Sequence, residues 1–497
     1  MAPPRGARVI DAAQAQVLGR PGEHAGGDDV AAGRNEPDVA QSESDTNDTD
    51  RRAAWQARSL DAATRALLER DARHFLRQSV STPCLNAIAR AEGIWIEDVA
   101  GRRYMDFHGN NVHHIGYGHP RLKKAIADQM DALPFAPRRY ACDVAAELAE
   151  KIAAIAPGGL SRLLLTTGGS DAVEVAVKIA RAATGRHKTI SFWDAFHGAG
   201  FGAAALSGEA LFRSGPAAPL IAGAEHVAPF ACYRCPYGYE VDEAGRPRVD
   251  VCKVQCARMV EYVLSREGDV AAVVAEPARA VPYLPPPGFW RIVREACDRH
   301  GALLVFDEIP TGLGKTGRMF ACEHDGVVPD ILVMGKALGG GIIPVAAAVT
   351  RPELDLGGKW AFGHYTHEKN PVSARAALTT IQVIEDEGLV QNAASVGAAA
   401  LERLGEMRAR HRWIGDVRGR GLLIGIELVR SREGKEPDGD LAEATLYACL
   451  DRGVSLKTTM GNVVTLTPPL TTSRAQMDDA LDRIEAAMVA AAASLGR

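Results

Sequence analysis

The chain has 497 residues, 46% of them apolar and 24% charged, and a net charge of −5. That length fits one large enzyme subunit of two domains, and its interspersed charges leave no basic patch or acidic tail for nucleic acid or a membrane surface. No apolar run reaches transmembrane length and the start lacks the apolar core of a secretory signal, so a cytoplasmic protein is expected, its nine cysteines reduced.

Residues 1–55 are rich in Gly, Ala, Pro, Asp and Ser with almost no aromatic residue, and read as a disordered tail. From "SLDAATRALLERDARHFLRQ" the pattern turns helical, and "GIWIEDVAGRRYMDF" reads as two strands about a Gly turn, so residues 56–125 are assigned to the N-terminal part of a small domain. Over 126–379 helices alternate with short apolar strands: "RLLLTT", "KTISFW", "VAAVVAEP", "ALLVFDE", "DILVMG" and "VAAAVT". Such alternation predicts a large α/β domain, its sheet parallel or mixed and covered on both faces. Residues 380–497, with "LIGIELV", "VVTLTPPL" and long amphipathic helices, are expected to complete the small α+β domain.

Open α/β sheets bind ligands at their strand ends, and the central block carries its chemically suggestive residues there. In "VPDILVMGKALGGG" Lys336 closes an apolar strand before a glycine-rich turn. It is either a lysine snorkelling to solvent or a desolvated amine able to form a Schiff base. "VFDEIPTG" ends another strand with Asp307 and Glu308, a surface pair or a carboxylate that keeps a pyridinium nitrogen protonated. "TTGGSDAVEVAVKIAR" sets Gly168, Gly169 and Ser170 before a helix with Asp171 in its first turn, either a plain capped turn or a phosphate cup. "FWDAFHGAG" offers Phe196 as a stacking face, and "VVAEPARAVPY" places Glu276 and Arg279 after a further strand, where an ion pair is the simple account. Amine, ring-nitrogen carboxylate, phosphate cup and stacking platform together meet the needs of pyridoxal 5'-phosphate (PLP).

The order and spacing of "TGGSDAVE", "AFHG", "AEP", "FDEIPTGLGKTG", "GKALGGG" and "THEKNP" resemble the class III, ω-type aminotransferase family over about residues 60–495. The resemblance implies an α/β, fold-type I PLP-dependent transferase with a large cofactor-binding domain and a small domain from both ends of the chain. It makes Lys336 the Schiff-base lysine and proton carrier, and Asp307 the partner of the ring nitrogen. Gly169 and Ser170 match the phosphate-binding positions and Phe196 the stacking aromatic, with His197 and Glu276 among the cofactor contacts. Thr366 matches a threonine that reaches the phosphate of the neighbouring subunit, which implies a homodimer with interfacial sites.

Three positions depart from the family. Pro310 stands where a glutamine is usual, Arg279 where a second is common, and Thr465 where amino-acid-specific members carry an arginine for the α-carboxylate. These changes favour a small amine bearing its anion elsewhere, with Arg279 a candidate to bind it. The stretches "NNVHHIGYGHP" and "FAPRRY" match part of the family's substrate mouth, where Asn111, His113, Arg138 and Arg139 either line the substrate or belong to a solvated loop. The run from "AEPARAVPYLPPPGFW" to "GHYTHEKNP" is similar to the subgroup acting as (R)-1-hydroxy-2-aminoethylphosphonate ammonia-lyase. In that reading His197, His364 or His367 assists loss of the hydroxyl. Transamination with a keto acid acceptor stays open beside elimination, and a PLP-binding pseudoenzyme is the remaining alternative. Cys232, Cys235, Cys252 and Cys256 form a CxxC then CxxxC arrangement, where thiols packing a loop are expected rather than a zinc site. "GLGKTG" lacks the spacing of a nucleotide-binding loop.

Overall fold

The computed structural model describes residues 47–242 and 245–497. Strands β1 (Ile88–Glu92), β2 (Trp95–Asp98) and β3 (Arg103–Asp106) form an antiparallel meander. The tight turn between β2 and β3 closes on Asp98, whose carboxylate accepts from the N–H groups of Ala100 and Arg102. Gly101, at φ 81°, supplies the left-handed residue that this turn needs.

Seven strands then make the central sheet. They are β4 (Arg162–Thr166), β5 (Lys188–Phe192), β6 (Ala224–Val227), β7 (Val270–Ala275), β8 (Leu303–Asp307), β9 (Ile331–Met334) and β10 (Ala346–Thr350). Their order is β4-β10-β9-β8-β7-β5-β6, with β10 running against both of its neighbours and the remaining pairs parallel. The sheet is therefore mixed and mostly parallel, as the sequence led us to expect. β7, β9 and β10 are buried at every position because each face carries its own core. Val305 and Val333 pack with Ala172 and Val173 of the helix Gly169–Thr184, whereas Leu304, Phe306 and Leu332 pack with Trp290 and Val293 of the helix Phe289–His300. Successive strand residues point to opposite faces, so an uninterrupted apolar run feeds two cores at once.

The C-terminal part adds β11 (Ile414–Arg420), β12 (Leu423–Leu428), β13 (Val454–Ser455), β14 (Lys457–Thr459) and β15 (Val463–Leu466). Four of these form the antiparallel sheet β11-β12-β15-β14, while β13 crosses to pair in parallel with β3. Strands from distant parts of the sequence thus share one sheet.

Of the expected tail 1–55, residues 1–46 lie outside the described residues. Its last six residues need correction, because a helix spans Asp50–Ser59. Thr49 caps it by accepting from the Arg52 N–H, and Trp55 is buried with its indole N–H donating to Asp451, 2.9 Å away. One large aromatic side chain anchored in this way orders a segment whose average composition argues for disorder. Among the described residues no helix is long and apolar enough to cross a membrane.

Candidate active site

Because β5, β7, β8 and β9 run parallel, their carboxyl ends lie along one edge of the sheet, and the loops at that edge carry most of the suspected residues. Asp307 is the last residue of β8, Glu276 directly follows β7, and Lys336 comes two residues after β9. Phe196 and His197 lie in the loop after β5, and Ser170 is in the first turn of the helix that follows β4.

Asp307 is 2% exposed. Its Oδ2 accepts from the Nδ1–H of His197 at 2.8 Å, and its Oδ1 from the Ile309 N–H at 3.1 Å. The His197 backbone N–H donates in turn to Ser207 Oγ, and the other ring nitrogen, Nε2, is buried without a partner. A buried carboxylate held from two sides, one of them an imidazole with an unused nitrogen, is built to meet a further polar group. Lys336 opens a short 3-10 turn at φ 43°, a left-handed conformation uncommon outside glycine, and is half-buried. Strain of this kind collects where the surroundings fix a residue for a task.

At the other end, the helix Gly169–Thr184 starts from Gly168 with no side-chain cap, so its first N–H groups stay available to an anion. Ser170 Oγ accepts from the Ala199 N–H at 3.1 Å. Gly198, at φ 135°, lies so close that a Cβ there would sit 2.8 Å from Ser170 Cβ, and a Cβ on Gly169 would sit 2.8 Å from Ile309 Cδ1. Backbone replaces side chain at both places, which leaves a narrow cradle between the Asp307 strand end and the helix start. Phe196 is half-buried and already packs on Phe212, ring centroids 4.6 Å apart.

The substrate candidates differ in burial. Arg279 is 2% exposed; its Nε is 3.6 Å from Glu276 Oε1 and its Nη2 donates to the Asp194 carbonyl. The simple ion-pair account is thus present, although Nε and Nη1 lack hydrogen-bond partners. Arg138 is exposed and donates to His364 Nε2 at 2.6 Å. Thr366 and His367 are exposed on the same loop as His364. His113 is fully buried, bonded through Nε2 to the Asp106 carbonyl at 3.1 Å, and burial pushes its pKa down to about 4. Asn111 is also buried, with its Oδ1 unpartnered.

Residues that sequence reasoning passed over stand in the same region. Lys315 of "GLGKTG" is fully buried, its ammonium donating to the carbonyls of Pro468 at 2.7 Å and Thr467 at 3.3 Å. Burial pushes its pKa down to about 7, against the pull of the Asp106 carboxylate. His114 is held well below the usual imidazole range by burial and then by Lys315; for His108 the causes are burial, Lys457, His113 and Lys336 in turn. Glu308, which the sequence offered with Asp307 as a surface pair, is instead 1% exposed; it accepts from Thr311 and from the N–H groups of Ala321 and Cys322, yet burial raises its pKa to about 7. The repeated histidine in "NNVHHIG" was the available signal. The four-cysteine loop is different: Cys232 and Cys256 are pushed up to about 12, first by burial and then by neighbouring thiols. Among the described residues no group of three or more His, Cys, Asp or Glu side chains is arranged to hold a metal.

The Aminotransferase class-III family model matches residues 77–488. The chain is 42% identical over 455 residues to an (R)-1-hydroxy-2-aminoethylphosphonate ammonia-lyase from Vibrio splendidus, covering 90% of this chain and 95% of that one. It is 36% identical to a leucine/methionine racemase from Thermococcus litoralis, over 85% and 95% of the two chains. A PLP-bound amine transaminase from an uncultivated Pseudomonas species superposes with a TM-score of 0.76 at 30% identity, covering 82% of this chain and 95% of that one.

Proposed function

Since the chain belongs to the class III aminotransferase family and works with PLP, we propose that it is an ammonia-lyase for a small β-hydroxy amine carrying a phosphonate. The observation that carries this reading is the 42% identity to such a lyase along nearly the whole of both chains. The residues fit the cofactor. The uncapped helix start at Gly169 and Ser170 suits its phosphate, buried Asp307 its ring nitrogen, and Phe196 a ring face. His197 would hold Asp307 in place, and Glu276 would serve the same edge. When bound, PLP supplies an electron sink for the carbon beside the substrate nitrogen.

In this reading Lys336 would tether the cofactor and carry the proton, taking it from the amine-bearing carbon while the hydroxyl departs from its neighbour. Water lost in that step returns on hydrolysis, so the balance is one hydroxy amine in, one aldehyde and one ammonia out, with no second substrate. His197, His364 and His367 remain candidates to assist the leaving hydroxyl, and Arg279, His113 and Arg138 to line the substrate.

We extend the reading to assembly. Exposed Thr366 suits a contact with a second subunit's phosphate, hence a homodimer. The β3–β13 pair supports a small domain made of 56–125 and 380–497 around a large domain of 126–379. Nine free thiols suit a reducing compartment such as the cytoplasm.

The test is ammonia release from (R)-1-hydroxy-2-aminoethylphosphonate by the holoenzyme without any keto acid. Steady turnover with an aldehyde product is expected. A single bleaching event that pyruvate or 2-oxoglutarate reverses would instead mean transamination.

A further inference from the structure

We propose that Arg418 is a positioning residue for the cofactor: from the C-terminal sheet it fixes the turn 279–283, and through that turn the two groups, Glu276 and the Phe196 loop, that meet the bound ring. The inference rests on the reading of Glu276 and Phe196 as cofactor contacts.

Charge and register hold Arg418 in place. Asp416 of β11 stands opposite Glu427 of β12, two carboxylates whose mutual repulsion would weaken the hairpin. Arg418 Nη1 lies between them, 2.8 Å from Asp416 Oδ2 and 2.5 Å from Glu427 Oε2. Opposite Arg418 itself is Gly425, where a Cβ would come within 3.1 Å of Pro282 Cβ. The missing side chain lets the turn 279–283 lie on the sheet. Arg418 Nε then donates to the Pro282 carbonyl at 2.5 Å, and its guanidinium carbon lies 4.6 Å from the centre of the Tyr283 ring. Only 12% of the Arg418 side chain is exposed, so water screens these contacts little.

The turn passes this fixed position on to the site. It is closed by the Arg279 N–H, which donates to the Tyr283 carbonyl at 2.9 Å. Its Ala280 N–H donates to Glu276 Oε2 at 2.9 Å, and Arg279 Nε lies 3.6 Å from Glu276 Oε1, so the carboxylate after β7 is aimed from the turn. Arg279 Nη2 donates to the carbonyl of Asp194, two residues before Phe196. Asp194 is left-handed at φ 64°, a conformation that a residue other than glycine keeps when its surroundings impose it. A cavity of about 400 Å³, lined by Asp194, Arg234, Tyr283 and Glu427 among others, lies along the same groups. Packing therefore does not hold Asp194 on that side, and the bond from Arg279 does. Arg279 spends only Nη2 on this bond; its Nε and Nη1 lack hydrogen-bond partners, so a role towards substrate is compatible with it.

The experiment reads the PLP dissociation constant and the visible circular dichroism of the holoenzyme, with melting temperature as the control for folding. Arg418→Lys keeps a cation for Asp416 and Glu427 but lacks the fork that also reaches Pro282 and the Tyr283 ring. It should weaken PLP binding about ten-fold and reduce the dichroism of the bound cofactor. Arg279→Lys should do the same, and adding Arg418→Lys to it should bring no further loss, because both act along one path. Phe196→Leu and Glu276→Gln serve as the comparison, and each should also lower PLP affinity and dichroism. If Arg418→Lys loses its fold, Tyr283→Leu takes its place with the same expected loss, since it removes the ring without stranding a carboxylate. Wild-type PLP affinity and dichroism in the folded variant, or a full second loss in the double variant, overturns the proposal, while altered Phe196 and Glu276 variants still uphold the cofactor contacts. Unaltered cofactor binding in the Phe196 and Glu276 variants overturns that reading and the proposal with it.

Discussion

Two lysines show how differently one side chain can be used. Lys336 is half-buried, in a strained turn at the end of an apolar strand, and its place could be read from "DILVMGK" because strand end and glycine turn are both local patterns. Its replacement by alanine is expected to abolish the visible absorbance of the bound cofactor and the covalent adduct seen by mass spectrometry after borohydride reduction. Asp307→Asn should lower kcat on the order of a hundred-fold or more by removing charge at the ring, and His197→Gln by about ten-fold through loss of aim. Lys315 was not legible, since its burial depends on carbonyls near the far end of the chain. Its native pKa of about 7 lies below the ordinary 10.5, so the unfolded chain binds more protons between those values. Stability therefore rises with pH across that window. Melting temperatures taken from pH 7 to pH 10 should show wild type gaining steadily on Lys315→Met.

At the level of elements, strands of the central sheet were legible because each is a short apolar run bounded by turn residues. β6, "AEHV", escaped because it has one strong strand former, and β14, "KTT", because three polar-ended residues show no period. Their strand character comes from neighbours that supply the hydrogen bonds, and with β14 the register that sets Lys457 opposite Thr465 was hidden too. Glycine contacts lock the β11–β12 hairpin into place. A Cβ on Gly397, in the helix Leu389–Arg410, would strike the Gly421 carbonyl, and one on Gly421 would strike Gly317 N at 2.5 Å and Lys315 O at 2.8 Å. Gly397→Ala should cost about 1–3 kcal/mol or more, read as a lowered melting temperature or urea midpoint. Full stability in that variant would mean that the helix and hairpin can separate cheaply.

On the scale of the whole molecule, the proposed homodimer has its own test. Lys336→Ala and Thr366→Val subunits should each be impaired as homodimers. Mixed and refolded together, they form hybrids in which one site draws both native residues, and activity should return. Two inactive parents that stay inactive after proven subunit exchange would show that Thr366 serves its own chain.

The parallel pairing of β13 with β3 also constrains the order of events during synthesis. Met105 and Asp106 leave the ribosome early, but the strand that completes their sheet, Val454–Ser455, comes only after the whole central block has been made. Until then the exposed edge of β3 is open to any other nascent chain in reach. Slowing translation beyond residue 350 should therefore increase aggregation more than slowing it earlier, and the turn that bears Lys336 can assemble before Phe107 is held between Ser455 and Thr467.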